Sequence, residues 1–249
     1  MKLHNKTILI TGASSGIGAE LASQLADKNN RLILVARREE LLQTLLSTLK
    51  PHPQDHLTFQ CDVSDADQVK DVCEWINNAK IKVDVLLLNA GVGGGFDIHD
   101  INLETFRRQI DINFFGAVYF VKYIVPEMIK QKSGIIAVNG SLAGYRGVPN
   151  AAPYSASKGA LMNFIDSLRI DLRKYNIQCT LISPGFVKTP LTDKNDFKMP
   201  FIMDPEPAAR EVFEHMNSDT FKKSFPTLFS LFFRGSQFLP DWLYYRLVR

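Results

Sequence analysis

The sequence has few cysteines, little net charge and no long uncharged apolar run. Its three cysteines, Cys61, Cys73 and Cys179, are odd in number and lack the spacing of metal ligands, which favours reduced cytosolic thiols and no metal site. The formal charge of +3 is too small to favour nucleic-acid binding. The N-terminus lacks the pattern of a secretory leader, and no apolar run is long enough to predict a spanning helix. We therefore expect a cytoplasmic protein.

What the chain does have is a regular alternation of short apolar runs with helical segments. Its 249 residues are 45% hydrophobic, enough to bury the core of an α/β domain. Runs rich in Ile, Leu and Val between helices are typical of crossover units around a buried parallel sheet. Strands are predicted at 7–11, 31–36, 57–61, 83–89, 135–139 and 178–183, and helices at 16–28, 38–49, 65–78, 113–131 and 154–175. In such sheets, ligands bind beyond the carboxyl ends of the strands.

A glycine-rich turn follows the first predicted strand. Residues 12–18 read GASSGIG, and glycines let the backbone turn tightly and approach a ligand closely. The helix that follows presents free N–H groups and the positive end of its dipole, both of which favour a pyrophosphate. The spacing differs from the GxGxxG dinucleotide fingerprint, so a turn that binds no ligand is the alternative at this point.

Two arginines follow the second predicted strand. At this position an acidic residue would hold the 2′-hydroxyl of a ribose, whereas an arginine would accommodate a 2′-phosphate. Ala36, followed by Arg37 and Arg38, favours NADP(H), because a guanidinium can bind two phosphate oxygens at once. The alternative is that one arginine only solvates the start of the next helix, and this suits Arg38 better than Arg37.

Tyr154 and Lys158 lie four residues apart in a predicted helix and therefore share a face. A tyrosine has an unperturbed pKa near ~10, which a nearby ammonium lowers, so that proton exchange with a carbonyl or alcohol oxygen becomes easier. Ser141, which follows the fifth predicted strand, is placed to hydrogen-bond the same oxygen. Alone, however, the tyrosine–lysine spacing is common on exposed helices.

In combination, these motifs resemble the short-chain dehydrogenase/reductase family, in its branch of chains of about this length. The resemblance covers roughly residues 5–190. The motifs that carry it are Thr11–Gly18, Asp62-Val63, Asn89-Ala90-Gly91, Asn113, Ser141, Tyr154–Lys158 and Pro184-Gly185, in family order. The resemblance implies a Rossmann-like doubly wound parallel sheet with helices on both faces.

The resemblance also implies a cofactor site, residue by residue. The glycine-rich turn would hold the phosphates and ribose, Asp62 and Val63 the adenine, and the residues from Asn89 onwards the nicotinamide end, while Arg37 and Arg38 keep the 2′-phosphate role given above. The implied cofactor-binding residues are Gly12, Ser14, Ser15, Gly16, Ile17, Gly18, Arg37, Arg38, Asp62, Val63, Asn89, Ala90, Gly91, Tyr154, Lys158, Pro184, Gly185, Val187 and Thr189.

Four residues would carry the chemistry. The family pattern implies that Tyr154 is the general acid/base and that Ser141 orients the carbonyl. Lys158 would bind the nicotinamide ribose and lower the pKa of the tyrosine. Asn113 would hold a water that links Lys158 to solvent. One departure from the family pattern is the Asn139-Gly140 pair before Ser141, where relatives often have serines.

The segment 186–207 would form the substrate lid. It carries apolar side chains, which favour a lipophilic carbonyl compound and the exclusion of water. These are Phe186, Phe197, Met199, Phe201, Ile202 and Met203. The alternative, that these side chains only pack the loop onto the domain, is equally consistent with the pattern.

The last segment, 221–249, which we call the tail, differs from the 1–220 catalytic domain in composition. It is rich in aromatic residues and has five basic residues against Asp241 alone. After a brief predicted strand at 222–226, its apolar residues recur at three- and four-residue steps, as in a helix. We expect the tail to pack on the domain or against a second subunit, which is the commoner explanation for such stripes. The alternative is peripheral membrane contact, with Arg234, Arg246 and Arg249 at lipid head groups.

The sequence thus predicts an NADP(H)-dependent oxidoreductase that transfers hydride between a nicotinamide and a small alcohol or carbonyl substrate. A homo-oligomer, dimer or tetramer, is expected, although the glycine-rich last strand of many tetrameric relatives is missing. The alternative function is a non-catalytic nucleotide-binding or scaffold protein on the same fold. The complete set of serine, tyrosine, lysine and asparagine argues against it, because a scaffold has no chemical need for all four.

Overall fold

Strands and helices alternate along the chain in a computed structural model that describes residues 3–193 and 195–248. The strands are β1 Thr7–Thr11, β2 Arg31–Ala36, β3 Leu57–Gln60, β4 Val85–Leu88, β5 Gly134–Asn139, β6 Ile177–Pro184 and β7 Lys222–Phe225. The helices are α1 Gly16–Ala26, α2 Glu39–Thr48, α3 Ala66–Asn78, α4 Leu103–Ile110, α5 Gly116–Gln131, α6 Ala152–Leu172, α7 Pro205–Met216, α8 Thr227–Ser236 and α9 Asp241–Leu247. The predicted basic residue Arg249 lies outside the described residues.

All seven strands pair in parallel, in the order β3-β2-β1-β4-β5-β6-β7. Successive side chains of β1 point to opposite faces: Leu9 enters one buried cluster, with α3, α5 and α6, while Ile8 and Ile10 enter the other, with α1 and α7. The predicted doubly wound sheet with helices on both faces is confirmed. The strand order reverses between β1 and β4, so a ligand site is expected beyond their carboxyl ends.

The helical stretch before β5 is longer than predicted. The sequence predicts one helix from residue 113, but the stretch begins at Leu103 and contains a π-helical turn, Asp111–Phe115, between α4 and α5. The sequence does not predict the start of this helical stretch, because α4 is short and strongly polar on its exposed side. In the structure, Asn102 caps α4 by accepting a hydrogen bond from the Thr105 backbone amide. The stretch Leu103–Gln131 is long and apolar enough to meet a length-and-composition test for a membrane span. Its α5 side chains Phe120 and Met128 are nevertheless fully buried in the core.

One further difference concerns the substrate side. Helix α7 was not predicted, and its first residues overlap the end of the predicted lid. Helices α8 and α9 form the apolar helical tail, and they lie against the segment that follows β5. There Arg146 donates to the carbonyl oxygens of Ser236 and Leu239, and the Tyr244 hydroxyl donates to the carbonyl of Gly147.

Candidate functional site

The glycine-rich turn joins β1 to α1 with a backbone that only glycine adopts easily. Gly12 and Gly16 have φ of +68° and +57°. A Cβ atom at Gly12 would lie 2.7 Å from the Ala90 Cα, and one at Gly16 would lie 2.7 Å from the Thr189 Cγ2. Neighbouring atoms therefore lie too close for a side chain at either glycine. Ser15 begins α1 without a side-chain cap among the described contacts, so the first amides of the helix face the turn.

Asparagine side chains hold this turn against the neighbouring strands. The Asn89 amide donates to the carbonyl oxygens of Thr11 and Gly12, at 3.1 and 3.2 Å. Asn139, at the end of β5, donates to the Asn89 side-chain oxygen at 2.8 Å. The carboxyl ends of β1, β4 and β5 are thus tied together below the turn, which fixes its shape before a ligand arrives.

The two arginines after β2 have different partners. Arg38 donates to the hydroxyl oxygens of Ser14 and Ser15, at 3.1 and 2.8 Å, and so reaches over the glycine-rich turn. Arg37 instead lies 3.6 Å from a carboxylate oxygen of Asp62. The sequence argument favours Arg37 as the cofactor ligand, but in the structure Arg38 is the guanidinium grouped with two hydroxyls.

Ser141, Tyr154 and Lys158 converge from two elements. Ser141 follows β5 by two residues and caps a short 3-10 turn, whereas Tyr154 and Lys158 lie in the first turns of α6. Lys158 is buried; its ammonium donates to the carbonyl oxygen of Asn139 at 2.9 Å and lies 5.9 Å from the centre of the Tyr154 ring. The predicted sharing of a helix face is therefore present.

Burial dominates the electrostatics of this group. It lowers the pKa of the Lys158 ammonium to about 8, because the charged form is poorly solvated. Burial raises the pKa of Tyr154 above its usual value, and hydrogen bonding with Ser141 acts in the opposite direction. The sequence argument expects the lysine to lower the pKa of the tyrosine. In the structure, desolvation of the phenolate is the largest influence on the pKa of Tyr154, so the phenol is protonated at neutral pH.

Asn113 lies in the π-helical turn and not in a regular helix. Its side-chain oxygen accepts from the Val92 amide at 2.7 Å, while its side-chain nitrogen donates to the Val92 carbonyl and to the Ser157 hydroxyl, both at 2.9 Å. Both ends of the amide are therefore occupied. The side chain clamps the loop after β4, and the water relay through this residue stays a prediction.

These groups surround one cleft of about 460 Å³ at the carboxyl ends of the strands. It brings together all but two of the predicted site residues: Gly12, Ser14, Ser15, Gly16, Ile17, Arg37, Arg38, Asp62, Val63, Asn89, Ala90, Gly91, Ser141, Tyr154, Lys158, Pro184, Gly185, Val187 and Thr189. Gly18 and Asn113 lie behind the wall. A Cβ at Gly18 would lie 2.6 Å from the Asn89 side-chain nitrogen, which indicates close packing of helix and strand.

Several lining residues were not predicted. Cys61 forms part of the wall, and burial raises the pKa of its thiol to about 12, so the thiol stays neutral. Leu191 and Thr192 come from the lid, and no local motif marks them. Asn139 could have been found, because a polar residue at the end of an otherwise apolar strand is expected to point into such a cleft.

The aromatic residues of the predicted lid pack against the tail. The Phe186 ring lies 5.9 Å from the rings of both Phe197 and Phe229, measured between centroids, and Phe201 lies 5.7 Å from Phe229. The residues of the segment that line the cleft are Val187, Thr189, Pro190, Leu191 and Thr192. The lid is fastened at its ends, where the Met203 amide donates to the Phe186 carbonyl at 3.0 Å.

Comparison with known proteins decides the family. A family profile described as short chain dehydrogenase matches residues 6–199. The chain belongs to the short-chain dehydrogenase/reductase family. The resemblance identified from the motifs is thus confirmed, and the profile match ends before α7 and the tail.

Two relatives in sequence are named as an oxidoreductase and a dehydrogenase/reductase. An uncharacterized oxidoreductase of Myxococcus xanthus is 35% identical over 239 residues, which is 96% of this chain and 94% of that protein. Dehydrogenase/reductase SDR family member 7B of Xenopus tropicalis is 35% identical over 198 residues, 76% of this chain and 63% of the longer frog protein. This short-chain dehydrogenase/reductase is therefore an oxidoreductase.

Solved structures share the fold. A short-chain type dehydrogenase/reductase from Mycobacterium marinum matches with a TM-score of 0.80 and 25% identity, over 90% of this chain and 93% of that one. An alcohol dehydrogenase from the archaeon Thermococcus sibiricus, solved with 5-hydroxy-NADP, matches with a TM-score of 0.78 and 23% identity, over 88% and 95%. Members of this family use a nicotinamide cofactor and act on small molecules.

Proposed function

We propose that the protein is an NADP(H)-dependent oxidoreductase that interconverts an alcohol and a carbonyl group of a lipophilic substrate. The observation that carries the proposal is the convergence of Ser141, Tyr154 and Lys158 on the cleft that the glycine-rich turn also lines. A proton donor, a hydrogen-bond donor and a buried ammonium thus share one space with the features of a dinucleotide cradle.

The cleft fits a nicotinamide dinucleotide. Gly12 and Gly16 leave room for close approach, and the start of α1 offers amides and a positive dipole end to a pyrophosphate. Arg38, Ser14 and Ser15 group three hydrogen-bonding side chains where a 2′-phosphate would be expected, which supports NADP(H). When bound, the nicotinamide supplies or accepts the hydride.

In the reducing direction, Tyr154 gives its proton to the carbonyl oxygen, and Ser141 donates a hydrogen bond to the same atom. The raised pKa of Tyr154 keeps the phenol protonated, and therefore ready to act as an acid, at neutral pH. The Lys158 ammonium then stabilises the phenolate that remains. Its own pKa of about 8 leaves it mostly charged at pH 7.

The substrate side supports a lipophilic compound. Leu191 of the lid lies against Gly93, since a Cβ on that glycine would be 3.1 Å from the Leu191 Cδ2. Val92, Pro190 and Val187 add further apolar surface to the same cleft. A cleft wall of this kind excludes water from the reacting atoms and favours an apolar substrate.

The test is Tyr154→Phe, measured beside the wild type with NADPH or NADP⁺ and a panel of aldehydes, ketones and secondary alcohols. Removing the exchangeable proton should lower turnover by ~10²–10⁴-fold, while the affinity for NADPH, measured by calorimetry, changes little. Tyr145→Phe is the matched control, because the Tyr145 hydroxyl bonds Ser224 in β7, 2.9 Å away, and does not line the cleft. A Tyr154→Phe protein with more than a tenth of wild-type activity would disprove the assigned role. A wild-type protein that binds NADPH but turns over nothing in the panel would instead favour the scaffold function.

A further inference from the structure

The tail carries large apolar side chains that the domain does not cover. On α8, Phe229 packs inward against the lid ring of Phe186, Phe233 packs against Phe229, and Ser230 is buried. Leu228 and Leu231 lie on the other side of the same helix and are 69% and 59% exposed. Both faces of α8 are therefore apolar, but only one of them contributes to the core.

Helix α9 and the loop before it repeat this arrangement. Tyr244 is buried, whereas Trp242 and Tyr245 are 69% and 59% exposed. Phe238, in the connecting loop, is 89% exposed. Positions 242, 245 and 246 are three and four residues apart, so Trp242, Tyr245 and Arg246 share a side of the helix.

Arg146 relates the two helices to each other. It donates to the carbonyl of Ser236 at the end of α8, pairs with Asp241 at the start of α9 and lies 3.9 Å above the Tyr244 ring. Its guanidinium also lies 5.7 Å from the Tyr245 ring. We call the exposed apolar side chains of both helices and of the loop between them the outer tail face. It comprises Leu228, Leu231, Phe232, Phe238, Trp242 and Tyr245.

The tail contributes mainly basic side chains to the surroundings of the outer tail face. Arg234 and Arg246 are exposed beside it and form no ion pair within the part of the chain that the structure describes. The tail's single acidic residue, Asp241, is already paired with Arg146. An occupant of this face therefore meets apolar side chains bordered by unopposed guanidinium groups.

Two occupants could cover such a face: a second copy of the chain or an anionic lipid surface. A two-fold dimer brings the same patch against itself, so it would gather Arg234 and Arg246 of both copies in one interface, where the tail's single acidic residue, Asp241, is already paired with Arg146. A bilayer with anionic head groups satisfies both features, since aromatic side chains favour the interface and arginines bind the head groups. We propose that the outer tail face docks the protein on the surface of an anionic membrane.

The proposal is tested with the full chain and with vesicles of phosphatidylcholine, either pure or mixed with phosphatidylglycerol. Trp75→Phe leaves Trp242 as the sole tryptophan. In this background we expect co-sedimentation with the mixed vesicles, a blue shift of the Trp242 emission and weakening of both by salt. Pure phosphatidylcholine should bind much more weakly. Each arginine changed to glutamine, Arg234→Gln or Arg246→Gln, should weaken binding about fivefold.

Leu231→Glu tests the apolar part of the face, because its exposed side chain can be changed without opening the core. It should reduce binding to the mixed vesicles at least tenfold, with an unchanged unfolding temperature. Ile170→Glu is the matched control: Ile170 is 78% exposed, but lies on α6, and its variant should bind as the wild type does.

Three results would overturn the proposal. The first is a full chain that ignores mixed vesicles or binds both kinds equally. The second is binding that Leu231→Glu and the arginine variants leave unchanged. The third is a dimer, measured by sedimentation equilibrium, that Leu231→Glu dissociates, since a second copy would then occupy the face. None of these readouts depends on activity, so the test is independent of the proposed reaction.

Discussion

Lys158 shows how one buried group serves function at a cost in stability. Its ammonium has one protein acceptor, the Asn139 carbonyl, and its pKa is lowered to about 8 from the ordinary value of 10.5. The folded protein therefore holds this proton less tightly than the unfolded chain does. Stability must rise with pH through the interval in which only the unfolded chain keeps the proton.

This gives a prediction for Lys158→Met. Below pH 8 the wild type carries the full penalty of the buried charge, and the penalty fades as the pH rises from about 8 towards 10.5. The free energy of unfolding of the wild type should therefore increase relative to that of Lys158→Met across this interval. Urea unfolding of both proteins at pH 7, 8, 9 and 10 measures the difference. A difference that stays constant with pH would contradict the lowered pKa, whereas activity should be damaged at every pH.

The arginine partners give a second prediction at the scale of single residues. Because Arg38 is grouped with Ser14 and Ser15, Arg38→Ala should weaken NADPH binding about ten- to a hundredfold and NADH binding far less. Arg37→Ala is the matched control, since Arg37 lies beside Asp62 instead, and its effect on NADPH should be smaller. Calorimetric titration with both cofactors measures this. If Arg37→Ala has the larger effect, the original sequence argument identifies the right residue.

Single residues were predictable to the extent that short motifs mark them. The glycine-rich turn, Ser141, Tyr154 and Lys158 all line the cleft as expected. The choice between Arg37 and Arg38 was not predictable, because adjacent residues differ only in the direction of their side chains. The direction of the Tyr154 pKa was missed for a related reason: burial is a property of the folded chain, and spacing alone gives only the nearby charge.

At the scale of elements, the β1–α1 unit depends on close contact between its turn and β4. Gly18, in the first turn of α1, has no room for a methyl group, because the Gly12 carbonyl and the Asn89 amide lie against it. Gly235, inside α8, has nothing within 4 Å of a Cβ. Substituting alanine at Gly18 therefore tests packing, whereas the same substitution at Gly235 tests helix propensity.

We predict opposite effects for Gly18→Ala and Gly235→Ala. Overpacking at Gly18 should lower the free energy of unfolding by about 1–3 kcal/mol and weaken NADPH binding, because the turn must shift. Gly235→Ala should be neutral or stabilising by up to about 1 kcal/mol, since alanine favours the helix. Chemical denaturation with and without NADPH measures both changes. A Gly18→Ala protein as stable as the wild type would contradict this prediction, because the turn would then accommodate a methyl group at position 18.

The elements themselves were predicted well where apolar runs were long. All six main strands were found, with bounds that differ by at most a few residues, as was the brief last strand, now β7. Helix α4 and the π-helical turn were missed. The extra residue of a π turn leaves little trace in a sequence, because it depends on the Asn113 contacts with Val92 and Ser157 across the chain.

At the scale of the whole molecule, the tail joins parts that are distant in sequence. Phe229 reaches the lid through Phe186, and a Cβ at Gly185 in the cleft wall would lie 3.2 Å from the same ring. Arg146 ties the tail to the segment that begins at Ser141. Composition alone marked the tail as different, but its place on the molecule depends on these long-range contacts, which no local pattern shows.

The last prediction concerns removal of the tail after Pro226. Truncation would expose Phe186 and further expose Phe201, remove the buried ring of Tyr244 and leave Arg146 without the carbonyl oxygens that it binds. Fully burying one large aromatic side chain contributes about 1.5–3 kcal/mol, and the buried Tyr244 is lost here together with the half-buried Phe229 and Phe233. For a chain of this size we therefore expect the unfolding temperature to fall on the order of 10 °C. Turnover should fall with it, because the Ser141 segment loses its support.

Thermal unfolding of the truncated and full-length chains, followed by circular dichroism, measures this effect. Arg146→Ala is a milder variant that removes only the Arg146 contacts with the tail. Arg146→Ala should destabilise in the same direction but less, because the aromatic packing of Phe229 and Phe233 remains. A truncated chain that unfolds at the wild-type temperature and keeps its activity would show that tail packing does not stabilise the domain. The tail's inner face would then contribute nothing to the fold, and its aromatic residues would have to be explained by the outer tail face alone.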